Sequence, residues 1–225
     1  ILSAGEAAGM PYYTMPMIVG ESLRDKLVRE GRLGLTEAIR VANEVADALA
    51  YAHREGVLHR DIKPENILIS GRHALVVDFG IAKAIDASKT KSGNASMPSN
   101  SATLTFDGLA LGTPMYMSPE QALGDPAVDG RSDVYSLAAV LFEMLAGRPP
   151  FSGATAVLIV GKRFTEPPPR LNTIDPTIPV EIGQAVARAM ALSPDDRFSS
   201  VSDFASALLS GLDRTRESVE RAPRP

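Results

Sequence analysis

The sequence contains no cysteine and no tryptophan, and it has only three histidines among 225 residues. The lack of cysteine excludes disulfides and thiolate metal sites and suits the cytoplasm, while His53, His59 and His73 lack metal-ligand spacing. A net charge of -4 argues against a role based on bulk attraction to nucleic acid or membrane surfaces. The apolar run from Val134 to Ala146 is too short to cross a bilayer. With 225 residues and 44% hydrophobic content, the chain can bury a sizeable core and is expected to form one compact lobe plus a stub.

Two short motifs carry the candidate chemistry. They are His59-Arg60-Asp61-Ile62-Lys63-Pro64-Glu65-Asn66 and Asp78-Phe79-Gly80. Apolar runs at 67–70 and 74–77, with a turn between them, predict an antiparallel hairpin. Such a hairpin brings Asn66 and Asp78 to the same end. One amide oxygen and one carboxylate there suit Mg²⁺, which takes the rest of its ligands from water and substrate phosphates.

The first motif also carries a candidate base and a candidate cation. Asp61 lies where it could orient and deprotonate an incoming hydroxyl, and Lys63 adds a positive charge suited to phosphoryl oxygens. Either motif alone is more often a chance tripeptide or a turn. Their joint occurrence, in this order and at this spacing, leaves little room for coincidence.

In this order the motifs resemble the catalytic loop and metal-binding motif of eukaryotic-like serine/threonine protein kinases, most closely the bacterial receptor-type group. The resemblance implies an α+β, protein-kinase-like fold with a mainly α-helical C-lobe. Residues 1–18 would be a remnant of the N-lobe sheet and the hinge, 19–209 the C-lobe with its activation segment at 78–120, and 210–225 a C-terminal linker. It also implies ATP and Mg²⁺ as cofactors, and transfer of the ATP γ-phosphoryl group to Ser or Thr hydroxyls of a protein substrate.

The resemblance assigns Asp61 and Lys63 to catalysis and Asn66 and Asp78 to the metal. The nucleotide-binding residues that it implies are Met15, Pro16, Ile18, Glu65 and Leu68. All of these except Glu65 depend on reading the run from Tyr12 to Ile18 as the strand that leads into the hinge. An ordinary core strand, or a register shifted by one residue, remains the alternative for that run.

Gly112 and Thr113 correspond to the loop that receives the protein substrate, and Thr113 would pack against Asp61 and Lys63. Together with Lys63, this threonine favours a Ser or Thr acceptor over tyrosine. An ordinary turn threonine is the alternative.

Further residues match positions that shape or regulate the site in the family. They are His59, Arg60, Phe79, Gly80, Glu120, Asp133 and Arg197. Asp133 would accept backbone N–H groups of the catalytic loop, in addition to or instead of capping a helix. Glu120 and Arg197 would form a long-range pair, which stabilises only if it is buried.

The segment 88–107 is rich in Ser, Thr, Asn and Gly, so a flexible loop without function is one interpretation. In the family, the arginine before the catalytic aspartate often pairs with a phosphorylated loop residue. We therefore expect phosphorylation at Thr103 or Thr105, with Arg60 as the partner.

The hydrophobic pattern predicts the helices. Ser22 caps one that runs to Glu30, and Thr36 caps a longer one that stops at Gly56. Further helices are predicted near 134–146, 154–162, 180–192 and 200–209.

No G-x-G-x-x-G occurs, and no V-A-I-K-like strand lysine precedes the catalytic loop. We therefore expect a fragment that, by itself, binds ATP weakly and transfers phosphate negligibly. A pseudokinase scaffold is the alternative, and a small-molecule kinase is disfavoured by Lys63 and Thr113. The resemblance also implies a homodimer for activation. It further implies a cytoplasmic kinase domain whose parent is anchored to the inner membrane only through segments absent from this sequence. The net charge and the lack of a basic patch with interleaved aromatics argue against a nucleic-acid partner.

Overall fold

The computed structural model describes residues 3–7, 10–14, 16–79 and 114–220. Several predicted site residues lie outside the described residues. They are Met15, Gly80, Thr103, Thr105, Gly112 and Thr113.

The first two strands form an antiparallel pair. Strand β1 spans Ser3–Ala7 and β2 spans Met10–Thr14, with Gly5 opposite Tyr12. The strand predicted from Tyr12 to Ile18 therefore lies further toward the N-terminus and is shorter. Residues 16–19 are not in a strand, which fits Pro16, because its nitrogen carries no hydrogen for a sheet ladder.

Helix α1 spans Leu23–Glu30, as the sequence pattern predicts. The hydroxyl of Ser22 accepts a hydrogen bond from the Asp25 N–H at 3.1 Å. The helix ends at Gly31, whose φ of 76° is readily adopted only by glycine.

Helix α2 spans Leu35–Arg54 and packs against the core along most of its length. The prediction that Thr36 caps this helix is wrong, because Gly34 occupies the capping position with extended backbone angles and no side chain to contribute. Gly56, with φ of 73°, turns the chain after the helix toward the predicted catalytic loop at 59–66.

A three-stranded sheet lies beside the catalytic loop. Strand β4 (Ile67–Ser70) pairs antiparallel with β3 (Glu21–Ser22) on one side and with β5 (His73–Val76) on the other. The predicted hairpin is therefore present. Its second strand starts one residue early, because a two-residue turn of Gly71 and Arg72 connects the strands.

Helix α4 spans Gly130–Ala146 and forms the centre of the C-terminal half. Its side chains from 132 to 145 are all buried, so its apolar character reflects a core position. Asp129 caps the helix through the Arg131 N–H, which leaves Asp133 available for another partner. In the part of the chain that the structure describes, no helix is both long and apolar enough to span a membrane.

The other helices complete the domain around α2 and α4. They are α3 (Pro119–Ala122), α5 (Ala156–Thr165), α6 (Leu171–Ile174), α7 (Val180–Ala189) and α8 (Val201–Glu220). Helix α8 continues well past Leu209, where the sequence pattern placed the start of a linker. Gly211 is buried and Leu212 packs on the core, so the apolar stripe of this helix extends into the predicted linker.

Candidate active site

The predicted catalytic loop, residues 59–66, is anchored to helix α4 through one buried carboxylate. Asp133, which is 1% exposed, accepts the backbone N–H of His59 at 3.0 Å and that of Arg60 at 2.8 Å. His53, at the end of α2, donates its Nε2–H to the same carboxylate at 2.8 Å. Three donors therefore satisfy a charge that would be costly to bury alone. Asp133 joins the loop both to α4 and to α2.

His59 connects the loop to the end of the hairpin. Its Nε2 lies 2.9 Å from the carbonyl oxygen of Val77, and its Nδ1 lies 3.2 Å from the backbone nitrogen of Asp61. A carbonyl can only accept and a backbone N–H can only donate, so the proton is on Nε2. The ring of Phe79 packs against His59 at a centroid distance of 4.8 Å. The residues before and after the hairpin are therefore held together by a buried imidazole.

Asp61, Lys63 and Asn66 form a compact polar cluster. Lys63 Nζ donates to Asp61 Oδ2 at 2.7 Å. Asn66 Nδ2 donates to the same oxygen at 3.1 Å and to the Asp61 carbonyl at 2.8 Å. The Asp61 side chain is 47% exposed. Both side-chain bonds go to Oδ2, so Oδ1 is the carboxylate oxygen available to an incoming hydroxyl.

The backbone brings Asn66 and Asp78 to the same end of the hairpin. The Val77 N–H donates to the Asn66 carbonyl at 3.0 Å, and Asp78 is the next residue. Because Asn66 uses its amide nitrogen on Asp61, its Oδ1 is the atom suited to a metal. No group of three or more His, Cys, Asp or Glu side chains elsewhere among the described residues could hold a metal ion. One amide oxygen and one carboxylate fit Mg²⁺, whose remaining ligands come from water and phosphate.

Two residues of this site have positive φ angles, Arg60 at 64° and Asp78 at 59°. They are the only described non-glycine residues in that region. Such backbone conformations cost energy and often occur at functional sites. The hydrogen bond from the Arg60 N–H to Asp133 helps to hold the first of them.

Glu65, a predicted nucleotide-binding residue, is held by Arg24 of α1 at 2.8 Å. The same guanidinium binds Glu143 of α4 at 2.8 Å and the hydroxyl of Tyr116, which also donates to Glu143. One arginine therefore joins α1, the catalytic loop, the core helix and the segment that precedes α3.

Burial and hydrogen-bond partners determine the charge states of Arg24 and Tyr116. Burial would lower the pKa of Arg24, but hydrogen bonds to Glu143 and Glu65 outweigh it and raise that pKa above its usual value. Burial raises the pKa of Tyr116, and the nearby Glu143 charge raises it further. Arg24 therefore stays cationic and Tyr116 stays a neutral donor at all ordinary pH values.

The segment that follows the predicted substrate loop is fixed by a capped helix. Ser118 and Gln121 form a reciprocal capping box at the start of α3. The side-chain amide of Gln121 also donates to the Arg60 carbonyl at 2.8 Å. Helix α3 is therefore bonded directly to the catalytic loop.

Glu120 and Arg197 form a buried bidentate pair with two contacts of 2.7 Å. The remaining guanidinium donors reach the carbonyls of Arg131, Ala191 and Leu192. Burial would raise the pKa of Glu120, but hydrogen bonds from Arg197 and Ser132 overcome it and lower that pKa. Both ions are thus paired and hydrogen-bonded, which makes this a structural clamp.

Three of the residues predicted to contact adenine are described by the structure, namely Pro16, Ile18 and Leu68. Ile18 is half-buried and Pro16 is exposed, while Leu68 is on β4 and half-buried. Ser70 Oγ donates to the carbonyl of Val19 at 2.7 Å, so the segment runs beside that strand. A Cβ at Gly20 would lie 2.3 Å from the Ile69 carbonyl oxygen, which explains the glycine there.

Sequence reasoning missed several residues that shape this site, namely His53, Arg24, Glu143 and Gln121. Glu143 left a signal, because a carboxylate inside an otherwise apolar helix needs a partner. Arg24 and Gln121 left none, since their partners are distant in sequence.

Comparison with known proteins identifies relatives along nearly the whole chain. The model of the protein kinase domain matches residues 6–222. A probable serine/threonine-protein kinase PknB of Bifidobacterium longum is 40% identical over 207 residues, covering 92% of this chain and 28% of the relative. Serine/threonine-protein kinase pkn3 of Myxococcus xanthus is 37% identical over 232 residues, covering 100% of this chain and 40% of the relative. The chain thus spans well under half the length of these relatives.

Solved structures show the same fold. The PknI kinase domain of Mycobacterium tuberculosis superposes with a TM-score of 0.66 at 29% identity, covering 92% of this chain and 69% of that one. Rad53 in complex with AMP-PNP gives a TM-score of 0.71 at 22% identity, covering 91% of this chain and 48% of that one. The protein-kinase-like α+β fold is therefore confirmed.

Proposed function

Because the chain belongs to the protein kinase domain family, we propose that it is the part of a serine/threonine protein kinase that holds the acceptor and the metal. The single observation that carries this proposal is the cluster of Asp61, Lys63 and Asn66 on a loop anchored by Asp133. The two relatives described above are both named as serine/threonine-protein kinases, which supports the same acceptor class.

In this proposal the acceptor is a Ser or Thr hydroxyl of a protein, and it meets Oδ1 of Asp61. The hydroxyl oxygen forms a bond to the γ-phosphorus of ATP while the bond from that phosphorus to the bridging oxygen of ADP breaks. The hydroxyl proton passes to Asp61, and ADP leaves. Lys63 neutralises charge beside the transferred group and, through its 2.7 Å bond, keeps Asp61 oriented.

Asn66 and Asp78 would hold Mg²⁺, which neutralises the phosphate oxygens when it is bound. Their placement depends on the hairpin and on His59, which ties the loop to Val77. Pro16, Ile18 and Leu68 remain the predicted adenine contacts. A homodimer that promotes activation also remains a prediction.

The direct test is phosphate transfer by the protein made from the complete coding sequence that contains this chain. Transfer from ATP to a protein or peptide should require Mg²⁺ and label Ser or Thr, and Asp61→Asn should slow it by about 10²–10⁴-fold. Asp125→Asn is the matched control, since Asp125 is an exposed carboxylate that only bonds the nearby Ala127 N–H. Binding of ATP without any transfer would favour a pseudokinase scaffold instead, and labelling of tyrosine would contradict the acceptor class.

A further inference from the structure

Arg163, on helix α5, is a buried cation with unused donors. The residue is 4% exposed, yet its Nε and Nη1 atoms have no hydrogen-bond partner among the residues that the structure describes. Its Nη2 donates to the backbone carbonyl of Pro114. None of the ion pairs in the described ranges includes this arginine.

The surroundings of Arg163 offer little compensation for its charge. The guanidinium lies 6.0 Å from the centroid of the Phe151 ring, and Tyr135 is the polar neighbour that affects its titration. Burial lowers the pKa of Arg163, and Tyr135 only partly opposes this effect. A buried guanidinium without a carboxylate destabilises a fold, and an apolar side chain of similar length would avoid that cost.

The bonded partner of Arg163 explains why the position matters. Proline has no N–H, so the carbonyl is the only backbone hydrogen-bonding group at Pro114. Two residues later, Ser136 Oγ donates to the carbonyl of Tyr116 at 2.8 Å, and the Tyr116 hydroxyl joins Arg24 and Glu143. The segment 114–116 is therefore held from α5 at one end and from α4 at the other.

This segment lies between the predicted substrate loop and helix α3, which is bonded to the catalytic loop through Gln121. Helix α5 also contacts α3. The backbone at Pro114 is thus the point where α5 can set the position of the chain that would receive a protein acceptor.

We propose that Arg163 is a positioning residue for the protein substrate: by holding the Pro114 carbonyl, it sets the conformation of the acceptor-binding segment and so the affinity for that substrate. The inference rests on the proposed kinase function and extends it to α5. It assigns Arg163 no contact with ATP or with the transferred group. Removing the guanidinium should therefore change acceptor binding while leaving nucleotide binding and folding intact.

The test compares Arg163→Met with the unchanged protein, both made from the complete coding sequence. We expect the KM for a Ser/Thr peptide to rise about tenfold, as for loss of one hydrogen bond to a charged group. The KM for ATP should stay within about twofold, because nucleotide binding does not depend on the segment. The melting temperature should stay equal or rise, because the substitution removes an incompletely paired buried charge.

Two further variants refine the result. Arg163→Lys keeps a positive donor toward Pro114 and should restore part of the peptide affinity. Lys162→Met is the matched control, because Lys162 is a cation on the same helix that instead donates to the Ser152 carbonyl. It should leave both KM values unchanged.

The outcomes separate this inference from the proposed function. No phosphate transfer by the unchanged protein would contradict the kinase proposal itself. An active unchanged protein together with an unaltered peptide KM in Arg163→Met would overturn only the role of Arg163. A variant that fails to fold, or that loses affinity for peptide and ATP alike, would show a structural role and would also overturn it.

Discussion

Two groups of charged side chains in the site differ in how far they are exposed to solvent. We call Asp61 and Lys63 the reactive edge, and Asp133 with the Glu120–Arg197 pair the anchors. The Asp61 side chain is 47% exposed, whereas that of Arg197 is 0% exposed. Exposed charge pairs contribute little stability, while breaking a buried pair is costly. Chemistry and stability should therefore be separable by mutation.

The largest effect is expected at the reactive edge. Asp61→Asn should lower kcat by about 10²–10⁴-fold, because the amide cannot accept the hydroxyl proton. The melting temperature should hardly change, since the bond from Lys63 to Asp61 is exposed. Steady-state kinetics and thermal unfolding of the complete protein measure both quantities. A large loss of stability would show that the reactive edge also works as an anchor, so that the two regions are not separable.

The second effect is expected at the anchors. Arg197→Met should lower the free energy of unfolding by about 3–5 kcal/mol, because Glu120 would be left buried without its partner. Urea unfolding measures this change. The control is Arg148→Met, which removes an exposed arginine and should shift the value by less than about 0.5 kcal/mol. Equal effects of the two variants would contradict the anchor role.

The pH dependence should identify the same anchor. The pKa of Glu120 is lowered in the folded state, so the ionised carboxylate stabilises the fold above the unfolded pKa of about 4.3. That contribution is lost as the pH falls through the lower, folded pKa. The stability advantage of the unchanged protein over Glu120→Gln should therefore shrink between about pH 6 and pH 3. A difference that stays constant over this range would show that Glu120 is not ionised in the fold.

The smallest effect is expected at the cap of helix α3. Ser118→Ala should cost about 1 kcal/mol, because the Gln121 N–H loses its side-chain acceptor. Ser118→Thr keeps a hydroxyl and should recover part of that loss. If the alanine variant unfolds as readily as Arg197→Met, the cap belongs among the anchors.

Local sequence patterns predicted most of the helices and the hairpin, because side-chain period and turn residues report on nearby backbone. They were less accurate at boundaries. Gly34 caps helix α2 in place of Thr36, and helix α8 continues past Leu209 because Gly211 and Leu212 extend its buried stripe. The residue at which a helix ends depends on packing against residues that are distant in sequence, so a local sequence pattern cannot predict it.

In the candidate site, too, the residues in local motifs could be predicted from the sequence, whereas the contacts between distant segments could not. The motif residues from His59 to Asn66 were identified by resemblance, and their roles remain predictions. The three-way contacts of Arg24 join residues 41, 92 and 119 positions away, so no local pattern could show them. For Arg163 the sequence gives only a weak indication of burial. It lies four positions after the buried Ile159, and therefore on the same face of the helix.

The left-handed backbone conformation at Asp78 limits the residue types that can occupy this position. With φ at 59°, only glycine, asparagine and aspartate fit without appreciable strain. Of these, aspartate alone brings a formal negative charge. Alanine at this position would lose the carboxylate and strain the chain at once, whereas asparagine would change only the charge. Asparagine is therefore the substitution that can report on electrostatics at position 78 without disturbing the loop.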